Sequence, residues 1–167
     1  MNVRKLTATA ILAATSLVIF VLECQIPPIV PIPGVKLGLA NMVTLYAKVT
    51  LGTRSAFIVL LLKIFLGNFF TGSAVSLFYS TIGGLLCFAA EWIMFRFVSK
   101  KQMWAVSITG AIFHNIGQII AAIILLGTEK IVWYLTILIP VAIITGTFTG
   151  LCATYTLNVT EKFHLPR

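Results

Sequence analysis

No aspartate occurs anywhere in the chain; its four acids are all glutamates, Glu23, Glu91, Glu129 and Glu161. Chemistry that rests on Asp-rich clusters holding magnesium diphosphates therefore lacks its usual ligands. No G-x-x-x-x-G-K-[ST] stretch is present, so the chain carries no nucleotide-hydrolysing loop of that kind. Cysteine is scarce as well. Cys24, Cys87 and Cys152 are isolated, odd in number and without a C-x-x-C, which points to neither a disulfide framework nor a zinc site. They read as small apolar packing residues. Charge is the largest deficit: 10% of the 167 residues are charged and 59% are hydrophobic, with a mean hydropathy of +1.06. Soluble domains carry about 25% charge. A globule of this length has too much surface to cover with so few charges. The composition specifies an all-α integral membrane protein. At about 20 residues per span, the length allows roughly six spans.

The charges that are present have a pattern. Twelve Lys and Arg against four acids make a net +8, but the basic residues sit at the ends of apolar runs rather than on one face. They read as topology signals, and nucleic acid is not an expected partner. The gaps between charges mark the helices. Lys5 to Glu23 leaves 17 uncharged residues, Lys63 to Glu91 leaves 27, Lys101 to Glu129 leaves 27, and Lys130 to Glu161 leaves 30. Each is long enough, or nearly so, to cross ~30 Å of hydrocarbon. The turn signals at Leu51-Gly52-Thr53 divide the remaining stretch. Spans are expected at 5–24, 36–51, 54–70, 73–97, 103–126 and 131–156, in a single transmembrane domain of residues 1–167 with no internal repeat.

With the N-terminus inside, Arg4, Lys5, Lys48, Arg54, Arg96, Lys100, Lys101, Lys162 and Arg167 fall on the inner side, and only Lys36 and Lys130 on the outer. The positive-inside rule then predicts cytoplasmic N- and C-termini. The first run is expected to stay as a span rather than leave as a signal peptide, because no small-x-small cleavage site follows it. The expected location is the cell membrane, in a multi-pass, prokaryotic-type arrangement.

Several features depart from plain lipid-facing helix. Pro27, Pro28, Pro31 and Pro33 crowd the first outer loop, which favours an extended, stiff conformation. That loop is either a rigid connector or a lid over an outward-facing cavity. Small and polar residues recur at steps of three and four: Ser73, Ser76, Ser80, Gly83, Cys87 and Glu91; Ser107, Gly110, His114, Gln118 and Ala121; Ala142, Gly146, Gly150 and Ala153. Such stripes permit close helix packing. Glu91, in the inner third of its span, either snorkels or pairs with Arg54 or Arg96.

Lys63 is the costliest residue. It lies about nine residues, or ~14 Å, above the inner end of its span. An ammonium at the bilayer centre costs ~2.5–3.5 kcal/mol on insertion scales. Either the helix shifts so that the side chain snorkels, or it faces the bundle interior, water or an anion. His114 lies at nearly the same height, and Lys36 and Asn41 lie higher. Lys36, Asn41, Lys63, His114, Asn115 and Gln118 are the candidate substrate-binding residues, lining one outward-facing cavity of positive potential.

The run Val30-Pro31-Ile32-Pro33-Gly34-Val35-Lys36-Leu37-Gly38-Leu39-Ala40-Asn41 and the run His114-Asn115-Ile116-Gly117-Gln118 resemble the Gx transporter family, also labelled heptaprenyl diphosphate synthase component I. The six-helix plan is similar to the substrate-binding S components of energy-coupling factor (ECF) transporters. Gly38 and Asn41 stand where flavin-type S components carry acids. The resemblance implies an S-component-like bundle, a first loop that closes over the site, and a small-residue patch on the first helix, here Ala10 and Ala14, that docks a coupling subunit. It implies a small-molecule ligand, the lipid bilayer, and an ECF coupling subunit with its ATPases as partners. No cofactor, metal site or catalytic residue is expected. The alternative is an accessory membrane subunit of isoprenoid-quinone metabolism or extracellular electron transfer, which members of the family are associated with. A third reading, an enzyme acting on a prenyl diphosphate with His114 as acid/base, has a lone histidine and no paired carboxylate to work with.

Overall fold

A computed structural model of the chain describes residues 2–26, 38–99 and 102–163. Among these residues all regular structure is helical. In order, the helices are α1 (Val3–Glu23), α2 (Asn41–Thr50), α3 (Thr53–Thr71), α4 (Ala74–Met94) and α5 (Met103–Leu126). A short 3-10 helix over Glu129–Tyr134 then leads into α6 (Leu135–Phe163). Five segments are long and apolar enough to cross a membrane: Val3–Glu23, Thr53–Phe70, Ala74–Met94, Met103–Leu126 and Glu129–Lys162. Large apolar side chains such as Phe65, Phe69, Ile124, Ile144 and Phe148 point outward. In water these would be a liability; in a bilayer they are the lipid-facing surface. The protein is a membrane-embedded helical bundle.

The second element differs from expectation. Residues 36–51 were expected to span, but the helix begins at Asn41 and has ten residues, ~15 Å of rise against ~30 Å of hydrocarbon. The physical reason is Gly38. Its φ of 78° cannot continue a right-handed helix upstream, so a turn forms in which the Asn41 N–H bonds the Gly38 carbonyl at 2.9 Å. The prolines at 27, 28, 31 and 33, and Lys36, lie outside the described residues. At the other end of the chain α6 continues past residue 156 to Phe163, since no glycine or proline stops it.

Packing follows the small-residue stripes. α5 lies between α4 and α6, and α1 packs on α3. A Cβ built on Gly117 would sit 2.7 Å from the Cα of Gly83, so α4 and α5 touch backbone to backbone. Gly146 and Gly150 bring α6 equally close to Ile108 and Trp104 of α5. The Ser107 and Thr149 hydroxyls bond across the α5–α6 contact at 2.8 Å. Direct packing and interhelical hydrogen bonds are what hold helices together where lipid is as apolar as the core.

α1 buries Thr9, Ala13, Ser16, Phe20 and Glu23, a single stripe at steps of three and four. Its last residue, Glu23, meets the entry of α2. The carboxyl-terminal ends of α2, α4 and α6 gather at the opposite end of the bundle, where Tyr46 donates to Thr160 at 3.1 Å and Lys48 meets Glu91. The start of α1 and the end of α6 therefore lie at the same end.

Candidate functional site

Lys63 projects from the middle of α3 into the bundle and is 4% exposed. Its Nζ donates to Asn41 Oδ1 at 2.6 Å. Asn41 is the first residue of α2, so the late start of that helix is what brings an amide to the ammonium halfway along α3. Around them lies a cavity with an empty volume of about 270 Å³, lined by Phe20, Glu23, Gly38, Ala40, Asn41, Lys63, Ser80 and His114. Residues from α1, α3, α4, α5 and the entry of α2 thus converge.

Each wall has a local cause. Glu23 turns its carboxylate to the entry of α2 and accepts the Gly38 N–H on Oε1 and the Ala40 N–H on Oε2 at 3.4 Å. The first N–H groups of a helix have no partner within it, and negative charge is favoured there. Ser16 fastens the same segment by donating to the Ala40 carbonyl at 3.2 Å. The His114 imidazole fits between two glycines. A Cβ on Gly38 would lie 3.2 Å from its Cδ2, and one on Gly83 would lie 3.0 Å from its Nδ1.

Of the six candidate binding residues, Asn41, Lys63 and His114 line this cavity. Asn115 is buried but turns to α6, where its Nδ2 donates to the Leu138 carbonyl at 2.9 Å. Gln118 is buried on α5 at 1% exposure and is not among the lining residues. Lys36 lies outside the described residues. Glu23, Phe20, Ala40, Gly38 and Ser80 were not among the candidates. The signal for Glu23 was present: it continues the stripe of Ser16 and Phe20. In the sequence alone, Glu23 fits equally the outer end of a span.

A second charged group lies toward the other end of the bundle. Lys48 and Glu91 form an ion pair at 2.9 Å with side chains 4% and 3% exposed. The Lys48 Nζ also donates to the Phe88 carbonyl at 3.1 Å and stands 3.7 Å from the centre of the Phe88 ring. A Cβ on Gly110 would lie 3.0 Å from Glu91 Oε1, so that glycine opens the space for the carboxylate. This corrects two expectations. Glu91 pairs with Lys48, not with Arg54 or Arg96, and Lys48 is an interior residue rather than an inner-loop charge. Arg96 instead lies over the Trp92 ring at 4.1 Å.

Ala10 and Ala14 are exposed on the outward side of α1, beside Leu6, Ile11 and Val18, while Thr9, Ala13 and Ser16 face inward.

The sequence model of the family described as heptaprenyl diphosphate synthase component I matches residues 12–156, and the chain belongs to that family. No curated protein and no solved structure matches it.

Proposed function

We propose that this protein is a non-enzymatic transport subunit of the cell membrane, similar to an ECF S component. It binds a small molecule through an anionic group in the cavity around Lys63; isoprenoid- or cofactor-like molecules with an anionic end fall in this class. One observation carries the reading. An ammonium buried in mid-membrane lines a cavity with Asn41 and His114, and intramembrane charges mark ligand and ion pathways. The free space inside the cavity is on the order of one or two water molecules, so a ligand's anionic group enters only by displacing what fills the site. Energy for transport comes from coupling-subunit ATPases, as the sequence carries no G-x-x-x-x-G-K-[ST] nucleotide-hydrolysing motif. Both termini face the cytoplasm, and the exposed Ala10/Ala14 face meets the coupling subunit.

The test is Lys63→Met, with ligand affinity and thermal stability measured side by side in detergent. The ligand is first identified by native mass spectrometry of the purified protein. The expected loss is one contact to a charged group, ~1.5–3 kcal/mol, or about 10- to 100-fold in affinity. Unchanged affinity with a clear loss of stability rejects the ligand role.

The family description favours a second reading, since it names one component of a synthase and so implies a partner component. In that reading the chain is an accessory membrane subunit of isoprenoid-quinone metabolism or extracellular electron transfer. Co-purification separates the two: an ECF coupling subunit with ATPases supports the first, a prenyl-synthase subunit the second.

A further inference from the structure

We infer that Glu23 is the resident counter-anion of the cavity: its carboxylate holds the place that a ligand's anionic group takes, and binding requires it to swing away. The inference rests on the anion-binding reading above. It starts from the charges. Among the described residues, the cavity has one ammonium, Lys63, and one carboxylate, Glu23, on its walls, both in the buried interior. Without a counter-charge, an intramembrane ammonium is costly; Glu23 supplies one whether or not a ligand is present.

The carboxylate is also held as a ligand anion would be. Its two oxygens accept the Gly38 and Ala40 N–H groups at the entry of α2, and the Asn41 amide and Lys63 ammonium adjoin on the cavity wall. Backbone N–H groups with a cation beside them are a general anion cradle. Gly38 lets the backbone come this close, since a Cβ there would lie 2.9 Å from the Asn41 Nδ2. The carboxylate belongs to the last residue of α1 and sits on a rotatable side chain, so it can leave the cradle without moving the helix.

Competition with a tethered carboxylate sets the class of ligand. A free monocarboxylate offers the same charge without the tether and competes poorly. A phosphate dianion offers more charge and more acceptor oxygens, so phosphate groups are favoured over carboxylates. The phosphate can be free or the head group of a membrane-borne ester.

The experiment compares wild type, Glu23→Gln, Lys63→Met and Glu23→Gln/Lys63→Met in detergent. Calorimetric titrations use inorganic phosphate, acetate and hexyl phosphate. Glu23→Gln should bind phosphate at least about tenfold more tightly than wild type and should bind acetate measurably. Lys63→Met should abolish both gains. Hexyl phosphate binding more tightly than phosphate assigns a membrane-borne ester; equal affinities assign a free phosphate. Glu23→Asp keeps the charge but withdraws it from the N–H groups. It should shift affinity the same way by a smaller factor, and it decides the matter if the glutamine variant does not fold. Lys63-dependent phosphate binding that Glu23→Gln and Glu23→Asp leave unchanged or weaken overturns this inference alone. Absence of Lys63-dependent anion binding in every variant overturns the anion-binding reading and this inference with it.

Discussion

Lys48 and Lys63 share one apolar interior but are neutralised differently. Lys48 has a carboxylate at 2.9 Å, a carbonyl at 3.1 Å and an aromatic face. Lys63 bonds the Asn41 amide and shares a cavity with the Glu23 carboxylate. Their methionine variants should therefore diverge. Lys48→Met leaves the Glu91 carboxylate buried without its cation, which costs about 3–5 kcal/mol. Lys48→Met/Glu91→Met should recover most of that, because apolar replacement of a whole buried pair is often neutral. Thermal unfolding of the single and double variants in detergent measures it; a Lys48→Met protein as stable as wild type would remove the pair from the account of stability. Lys63→Met takes the cation from a cavity that also holds Glu23, but Glu23 keeps the Gly38 and Ala40 N–H groups, so the variant should lose about 1–3 kcal/mol, less than Lys48→Met. Lys63 was legible in the sequence because it interrupts an apolar run far from either end. Lys48 was not. It lies four residues before Gly52 and six before Arg54, so it resembles the flanking charge of a full-length span. Its burial and its ion pair with Glu91 show that this position lies inside the bundle.

At the scale of the element, α2 is the piece that makes the site. It lies between two glycines of positive φ, Gly38 at 78° and Gly52 at 89°, but their surroundings differ. An added Cβ meets Asn41 and His114 at Gly38 and nothing within 4 Å at Gly52. Gly52→Ala should cost only the strain of a positive-φ, extended-ψ backbone that glycine alone adopts readily, about 1–3 kcal/mol. Gly38→Ala adds a clash inside the cavity. It should cost about 1–3 kcal/mol more and weaken ligand binding, whereas Gly52→Ala should leave binding unchanged. Equal effects of the two on unfolding temperature and affinity would separate Gly38 from the site. The long helices were legible because a charge-free run has one economical solution in a membrane; the range expected for the fifth span, 103–126, is that of α5, Met103–Leu126. The second was misjudged because its apolar run is consistent with a full span, while the conformation of one glycine decides where the helix starts. The site was partly legible for the same reason. Asn41, Lys63 and His114 stand out as polar residues in apolar runs, whereas Glu23 at a helix end looks like an ordinary boundary.

The whole molecule carries its asymmetry at one end. With Lys48 assigned to the interior, eight basic residues remain for the expected inner side against Lys36 and Lys130 for the outer. That bias still predicts cytoplasmic termini, and a C-terminal reporter should be active only in the cytoplasm. Activity only on the far side would turn the cavity to face the cytoplasm. The same orientation bears on partner docking. Ala10 and Ala14 lie in the amino-terminal half of α1, nearer the proposed cytoplasmic end, which is where ATPase-linked subunits would act. Both are exposed, while the inward stripe of Thr9, Ala13 and Ser16 packs the bundle. Small residues on a lipid-facing side let another helix approach closely, and large ones hold it off. Ala10→Trp/Ala14→Trp should therefore leave the fold and Lys63-dependent binding intact while reducing recovery of the partner complex to background. Because the substituted side chains point away from the bundle, a lost complex accompanied by a lost fold is not expected. Pull-down from membranes together with ligand titration of the same preparation reads both quantities. A complex that forms undiminished with both tryptophans in place would move the docking surface off this face of α1.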